Sequence, residues 1–453
     1  MRVAFPWLAC LSALAGLGLS MCEPGGDLIA GAPRVATQAP DPCASSAARP
    51  GLLFANVRVF DGERAFTGEV RVSGDRIEAV GPHLDRCHAT VIDGGGKTLL
   101  PGLIDAHTHA YEPKALAQAA AFGVTTEIEM FGDPRRIRAL READGRGERP
   151  HEAALWSAGL LATSPGGHGT EYGFPIPTLS RPDEAEAFVA ARFAEGSDFL
   201  KIVIDDGAWF RGTPGPTLDE PTAAALVQAA HARGKMAVAH IGTQADARAA
   251  LDAGVDGLAH LFVDSPPEDR FIARVSERDV FVIPTLCVLA VATGAPGAST
   301  WADLEPAFDG LLDAGDRRHL HKTFRHTPAG AKLEYAEAAV KALEAAHVSV
   351  LAGTDASNPG VVHGASLHRE IELLVASGLS PLQALAAATS VPARRFHLDD
   401  RGRIAPGQRA DLLLVLGDPT VDIRRTRSIH GVWRGGVAVE RELYFAQTRG
   451  GRR

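Results

Sequence analysis

PGLIDAHTHA, residues 101–110, is an apolar run that closes on two histidines one residue apart. In an extended strand alternate side chains share a face, so His107 and His109 point the same way. Two imidazoles converging on one point make a metal-ligand pair. The HxH pattern gains weight from the rhythm of the chain beyond it. Seven further short apolar runs come at intervals: TTEIEM (125–130), ALWSAG (154–159), FLKIVI (199–204), MAVAHI (236–241), GLAHLF (257–262), VFVIPTL (280–286) and VSVLAGTD (348–355).

Stretches of helical composition lie between these runs. Examples are PDEAEAFVAARFAEG (182–196), LDEPTAAALVQAAHARG (218–234) and TQADARAALDAG (243–254), each closing on Gly. Eight strand–helix alternations predict an α/β fold, a (β/α)8 barrel over residues 101–400. The alternative is an open doubly wound sheet. Strand-and-turn patterns flank the barrel on both sides, in residues 51–100 and again in 401–445. They predict a small β-sandwich built from both chain ends. An irregular insert near 293–328 carries His319, His321 and His326 and is placed as a lid over the barrel mouth, its histidines solvated.

The balance of the chain excludes other classes. Its 453 residues are 45% hydrophobic and 22% charged, with a formal net charge of −9. Gly and Pro are numerous but not periodic, so collagen-like and low-complexity readings fail. No basic block exists for nucleic acid. Residues 3–19 form an apolar stretch of signal-peptide length, and no second stretch suits a membrane span. LSMC (19–22) resembles a lipoprotein box, which makes Cys22 a candidate lipid anchor. Residues 1–22 are therefore expected to be a leader and 23–50 a linker rich in Pro, Ala, Gly and Ser. Export, periplasmic or secreted, favours a Cys43–Cys87 disulfide. Cys287 reads as a buried small hydrophobe.

The polar residues of interest end the strands. Lys201 lies inside FLKIVI, where an unpaired ammonium is costly. Three outcomes are open: pairing with Asp205 or Asp206, a neutral amine of lowered pKa, or carbamylation, which turns a cation into an anionic two-oxygen metal ligand. His240 ends AVAHI and His260 follows GLA. Asp355 ends the eighth run, where a carboxylate can bind metal and accept a proton.

This set, HTH, the lysine of FLKI, His240, His260 and Asp355, resembles the amidohydrolase superfamily of metal-dependent hydrolases. PGLIDAHTH is similar to its first motif and LAGTDAS to its last. The tail from ASLHREIELL to GRIAPGQRADLLLVLGDP is similar too, so the resemblance covers roughly residues 51–441. The closest-looking branch is the imidazolonepropionase and prolidase-like group. It implies two divalent metals, usually zinc, with His107, His109 and Asp355 on the buried ion and His240 and His260 on the other. Lys201, N6-carboxylated, and a hydroxide would bridge them. The implied reaction is hydrolysis of a C–N (amide) bond of a small molecule: a dipeptide, an N-acyl amino acid or a cyclic amide.

Substrate residues are sought in two loops. TSPGGHGTEYGFPIP (163–177) offers His168, to polarise a carbonyl or bind a carboxylate, and Tyr172 as an oxyanion donor. IDDGAWFRG (204–212) offers Arg211 for a carboxylate and Asp205 or Asp206 for an amine, or else a solvated loop and a helix cap. It lacks the tyrosine common in prolidase-like relatives. His363 and His368 are expected to orient neighbours. Competing readings are a mononuclear deaminase, an esterase, lactonase or phosphoesterase at the same site, and a non-catalytic protein that retains the barrel. A homo-oligomer without nucleic-acid partners is expected.

Overall fold

The computed structural model describes residues 43, 50–208, 212–299, 301, 308, 311–327 and 329–450. The expected leader with Cys22, most of the linker and Arg211 lie outside these residues. The chain divides into two units, Met1–Ser46 and Ala47–Arg453. In the first, Cys43 is the described residue and is disulfide-bonded. In the second, Cys87 is also disulfide-bonded and Cys287 is free and buried. Among the described residues no helix is long and apolar enough to cross a membrane.

Both chain ends contribute to one eight-stranded sheet. The strands are β1 (Gly51–Phe60), β2 (Ala65–Ser73), β3 (Arg76–Gly81), β4 (Ala89–Asp93) and β5 (Lys97–Pro101), then β13 (Leu412–Leu416), β14 (Ile429–Arg434) and β15 (Val437–Ala438). Their order is β15-β14-β13-β5-β1-β2-β3, and β4 branches off β1. The branch follows from a bulge. The first half of β1 runs parallel to β4 and its second half parallel to β5, and the β1–β2 register shifts between Phe54 and Val57. Asn56 sits at that shift with φ 52°, a left-handed conformation that Asn tolerates better than most residues. Phe54 and Trp433, from opposite ends of the chain, pack edge to face at 4.8 Å within this sheet's core.

The middle of the chain alternates parallel strands with helices. One sheet holds β6 (Leu103–Thr108), β7 (Val124–Glu129) and β8 (Ala154–Ser157) in sequence order. A second holds β9 (Leu200–Ile204), β10 (Ala237–Ile241), β11 (Gly257–Ala259) and β12 (Phe281–Ile283). Every residue of β6, β7, β9 and β10 is buried, as expected of parallel strands covered on both faces. Isolated parallel bridges join Ala162 to Ile202, Val282 to Val350 and Thr108 to Ala356.

The predicted helices form close to where their caps put them. Glu220–His231 starts at Asp219, whose side chain accepts from Thr222 N at 2.9 Å. Gln244–Ala253 opens on a Thr243–Asp246 capping box and ends at left-handed Gly254. The 182–196 stretch begins as a short 3-10 turn and becomes helix at Ala185–Ala194.

Seven of the eight predicted runs are regular strands, and the eighth is not. In VSVLAGTD only Val350 makes a ladder bridge. Its backbone instead bonds to several partners: Leu351 N to Val282 O (2.9 Å), Ala352 N to Ala387 O (2.8 Å) and Asp355 N to His107 O (2.8 Å). These amides reach three different segments, so no continuous ladder forms, and Asp355 ends the run with φ 61°.

Candidate active site

A cavity of about 380 Å³ opens where these strands end. His107, His109, Lys201, His240, His260, Asp355, His168 and Tyr172 all line it. The sequence therefore brought eight of its nine candidate residues to one place; Arg211 lies outside the described residues.

The floor is built around Asp355. Its Oδ1 lies 3.3 Å from His107 Nε2 and 3.1 Å from His109 Nε2. Neither contact gives that oxygen an aligned hydrogen bond. Three lone-pair donors thus face one point, and the ligand atoms of His107, His109 and Asp355 lie within 4.8 Å of one another. The His107 ring lies 4.6 Å from that of His260, and His260 lies 4.6 Å from His240.

Each outer histidine is held by a second group that selects its free nitrogen. His240 Nε2 meets Asp205 Oδ2 at 3.1 Å, which leaves Nδ1 available. His260 Nδ1 meets Thr285 Oγ1 at 2.8 Å, which leaves Nε2. Such outer partners orient metal-binding imidazoles. Asp205 thereby takes neither of the expected roles, as Lys201's partner or as a receiver for an amine. It is buried against His240 and accepts Gly207 N at 2.8 Å. Asp206 caps the loop at Ala208 N.

Lys201 Nζ is buried and has no hydrogen-bond partner. Burial pushes its pKa down to about 7, with Asp355 partly opposing. Burial also holds His107 and His260 well below the imidazole range, helped by the Lys201 charge and the neighbouring rings. His240 is brought down to about 4 by burial, against the pull of Asp205. Neutral imidazoles are the form that binds a cation. His109 differs. Burial lowers it, but Asp355 and Glu129 outweigh burial and raise it to about 9. A divalent ion would compete with that proton.

Left-handed backbone recurs at the site. His260 (φ 77°), Thr285 (φ 52°) and Asp355 (φ 61°) all adopt left-handed conformations, which are costly for these side chains and cluster at functional sites. Asp105 ties the floor together. It accepts from His107 N (3.2 Å), Thr354 N (3.0 Å) and Thr354 Oγ1 (2.7 Å), and so clamps the first run to the eighth.

The upper wall comes from the loop after β8. His168 Nδ1 lies 2.6 Å from Glu171 Oε1, and its ring is 4.7 Å from His240. A carboxylate accepts only, so Nδ1 carries the proton. Tyr172 packs at 5.7 Å from Phe131, and Phe174 stacks on Phe131 at 5.5 Å. From the insert, Thr323, Phe324 and Arg325 line the cavity. Its histidines do not: His319 Nε2 meets Asn358 O at 2.9 Å, while His321 and His326 are exposed. His363 pairs with Glu127 (2.8 Å), and His368 bonds Thr426 Oγ1 (3.0 Å) and Phe122 O (2.8 Å), as orienting residues would.

Sequence reading missed Glu171, Glu129, Thr285, Asp105 and Arg325. Glu171 stands three residues after His168, the one local spacing that pointed to a pair.

Comparison with known proteins agrees with this architecture. A model of the amidohydrolase family matches residues 98–439. An uncharacterized protein of Mycobacterium tuberculosis is 28% identical over 345 residues, 73% of this chain and 81% of that protein. An adenine deaminase of Mesorhizobium japonicum is 23% identical over 399 residues, 86% of this chain but only 57% of the deaminase. Among solved structures, a Xaa-Pro dipeptidase with bound methionine superposes with a TM-score of 0.67 at 21% identity, covering 85% of this chain and 99% of the other.

Proposed function

This chain belongs to the amidohydrolase family and is a hydrolase of carbon–nitrogen bonds, and on that premise we propose that it cleaves an amide of a small molecule with two divalent ions. Lys201 carries this reading. Its Nζ is buried without a hydrogen-bond partner in the cavity that five histidines and Asp355 also line. As an N6-carboxylated side chain it would trade a stranded cation for an anion between two cations. His107, His109 and Asp355 would hold one ion, and His240 Nδ1 with His260 Nε2 the other. Zinc suits this set of nitrogen and oxygen donors.

Bound divalent ions would supply Lewis acidity and a lowered water pKa. The chain's own residues do the rest. Asp355 accepts the proton of the attacking water and returns it to the leaving nitrogen. His168, held by Glu171 through Nδ1, lines the cavity where the substrate carbonyl would lie. Tyr172 offers a hydroxyl on the same wall. The apolar lining excludes water from the reacting bond.

The proposed architecture is a (β/α)8 barrel. Three isolated bridges support it: they join Ala162, just past β8, to β9, β12 to Val350 of the eighth run, and β6 to Ala356, just past that run. On this reading the forked sheet shared by the two chain ends would be the expected small β-sandwich. Export fits the disulfide-bonded Cys43 and Cys87 and the leader-like residues 3–19, with Cys22 a lipid-anchor site and a homo-oligomer the working assembly.

A second reading is favoured by one observation. His107, His109 and Asp355 are the group whose ligand atoms converge in the described residues, which suits a single ion and a deaminase. The experiment that separates the two is metal analysis of bicarbonate-treated protein, followed by hydrolysis of a panel of dipeptides, N-acyl amino acids, cyclic amides and adenine, with Asp355→Asn as the blank. Two ions per chain and amide cleavage support the first reading. One ion with ammonia release from adenine supports the second. Asp355→Asn should cost about 10²–10⁴-fold in turnover; retention of most activity would sink the proposed role of Asp355.

A further inference from the structure

The walls of the cavity differ from its floor. Above the histidines the lining is apolar: Leu161, Val203, Leu261, Val263, Val288 and Leu289. Exposed aromatic rings continue this surface outward. Tyr172, Phe174 and Tyr111 are each more than a third exposed and all pack around Phe131. Exposed aromatics gathered at one cavity edge are unusual for a surface that faces only water.

Charge is distributed just as unevenly. Lys201 is at the buried floor. Arg325, from the insert, is exposed at the outer part of the same cavity. Among the described residues no hydrogen bond or ion pair engages its guanidinium. Neither carboxylate of the lining is open to an ammonium on this reading, Glu171 being paired with His168 and Asp355 being a metal-ligand candidate. Glu171 holds His168 and Gly169 N, and Asp355 faces His107 and His109. An entering carboxylate would therefore find a free guanidinium, which binds it well. An entering ammonium would find no free carboxylate and would lose its hydration uncompensated.

Resting on the amide-hydrolase reading above, we propose that Arg325 and the Phe131 aromatic cluster select N-blocked amino acids with aromatic or branched side chains, their carboxylate on Arg325. Free dipeptides, with a charged amino terminus, are disfavoured. The size fits, since 380 Å³ is near the small end of the roughly 300–1,000 Å³ of ligand cavities.

The test uses binding as well as turnover, on the full chain. The probes are 3-phenylpropanoate and 3-phenylpropanamide, titrated calorimetrically into wild type, Arg325→Met and Arg325→Lys. The expected result is carboxylate binding at least tenfold tighter than amide in wild type, a ratio near one in the Met variant and an intermediate ratio in the Lys variant. In parallel, N-acetyl-phenylalanine should be hydrolysed with a higher kcat/KM than N-acetyl-phenylalanine amide or glycyl-phenylalanine, the difference lying in KM. A carboxylate preference that survives Arg325→Met, or faster cleavage of the free dipeptide, overturns the assignment and leaves the hydrolase reading standing. Arg325-dependent carboxylate binding with no amide cleaved supports Arg325 as the carboxylate receiver, overturns N-acyl amino acids as substrates and counts against the hydrolase reading itself.

Discussion

Asp205 Oδ2 sits 3.1 Å from His240 Nε2, and both groups are buried. The carboxylate is held below its ordinary pKa: burial opposes its charge, but His240 and the Gly207 amide outweigh burial. It stays anionic and fixes which imidazole nitrogen is left for an ion. Asp205→Asn keeps the shape and removes the charge. The expected outcome is an unchanged fold by circular dichroism and a metal affinity lower by about 10–100-fold. Competition with a chelator measures this, and equal affinities would reduce Asp205 to a packing residue.

Lys201→Met separates stability from function. The variant replaces a buried, partnerless amine with a side chain of similar length that needs no partner. The metal-free protein should gain at least about 1 kcal/mol in urea denaturation. Metal content by elemental analysis should fall below that of wild type. A variant that keeps the wild-type complement of ions would show that Lys201 is no ligand.

Glu171 sets a pH window. Burial raises its pKa, but His168 and the Gly169 amide overcome burial and bring it to about 2. A depressed carboxylate contributes stability that is complete above its unfolded pKa, near 4.5, and is lost as pH falls toward 2. The stability difference between wild type and Glu171→Gln should be largest above pH 4.5 and shrink below it. A difference that grows on acidification would contradict the His168 pairing.

Gly353 lies where two elements of the site meet. A Cβ there would fall 2.5 Å from Ile283 Cγ2 and 2.9 Å from the backbone nitrogen of His107. Gly353→Ala must therefore displace the first metal-ligand strand or β12. A loss of about 1–3 kcal/mol is expected, together with weaker metal binding. Thermal melts and metal titration report the two effects separately.

The site's inner residues were legible because chemistry interrupts pattern. Lys201, His240 and Asp355 stand in or at the end of apolar runs, where a polar side chain needs a reason. Glu171, Thr285 and Arg325 lie in loops or at helix starts, where polar residues are the rule and carry no such signal. Asp205 is visible in the sequence as well, but a strand-end carboxylate near a buried lysine leaves its partner open, and the fold sets it against His240. The eighth run read as a strand because its composition is a strand's. Its amides divide among Val282, Ala387 and His107 instead of one neighbouring strand, and composition does not show that.

The sheet shared by the chain ends has a consequence for biosynthesis. Thr98 Oγ1 donates to Gly417 O across 319 residues, and β5 pairs antiparallel with β13 from Pro101–Leu412 to Lys97–Leu416. A ribosome completes β5 long before it makes β13. During that interval the edge of β5 that β13 will cover stays open, and open edges invite wrong partners. A chain that stopped at residue 400 would hold all the metal-site candidates, yet its β5 would still lack that neighbour. A strand made more than 400 residues into the chain closes that edge, so synthesis must be nearly finished before the first-made half is safe from aggregation.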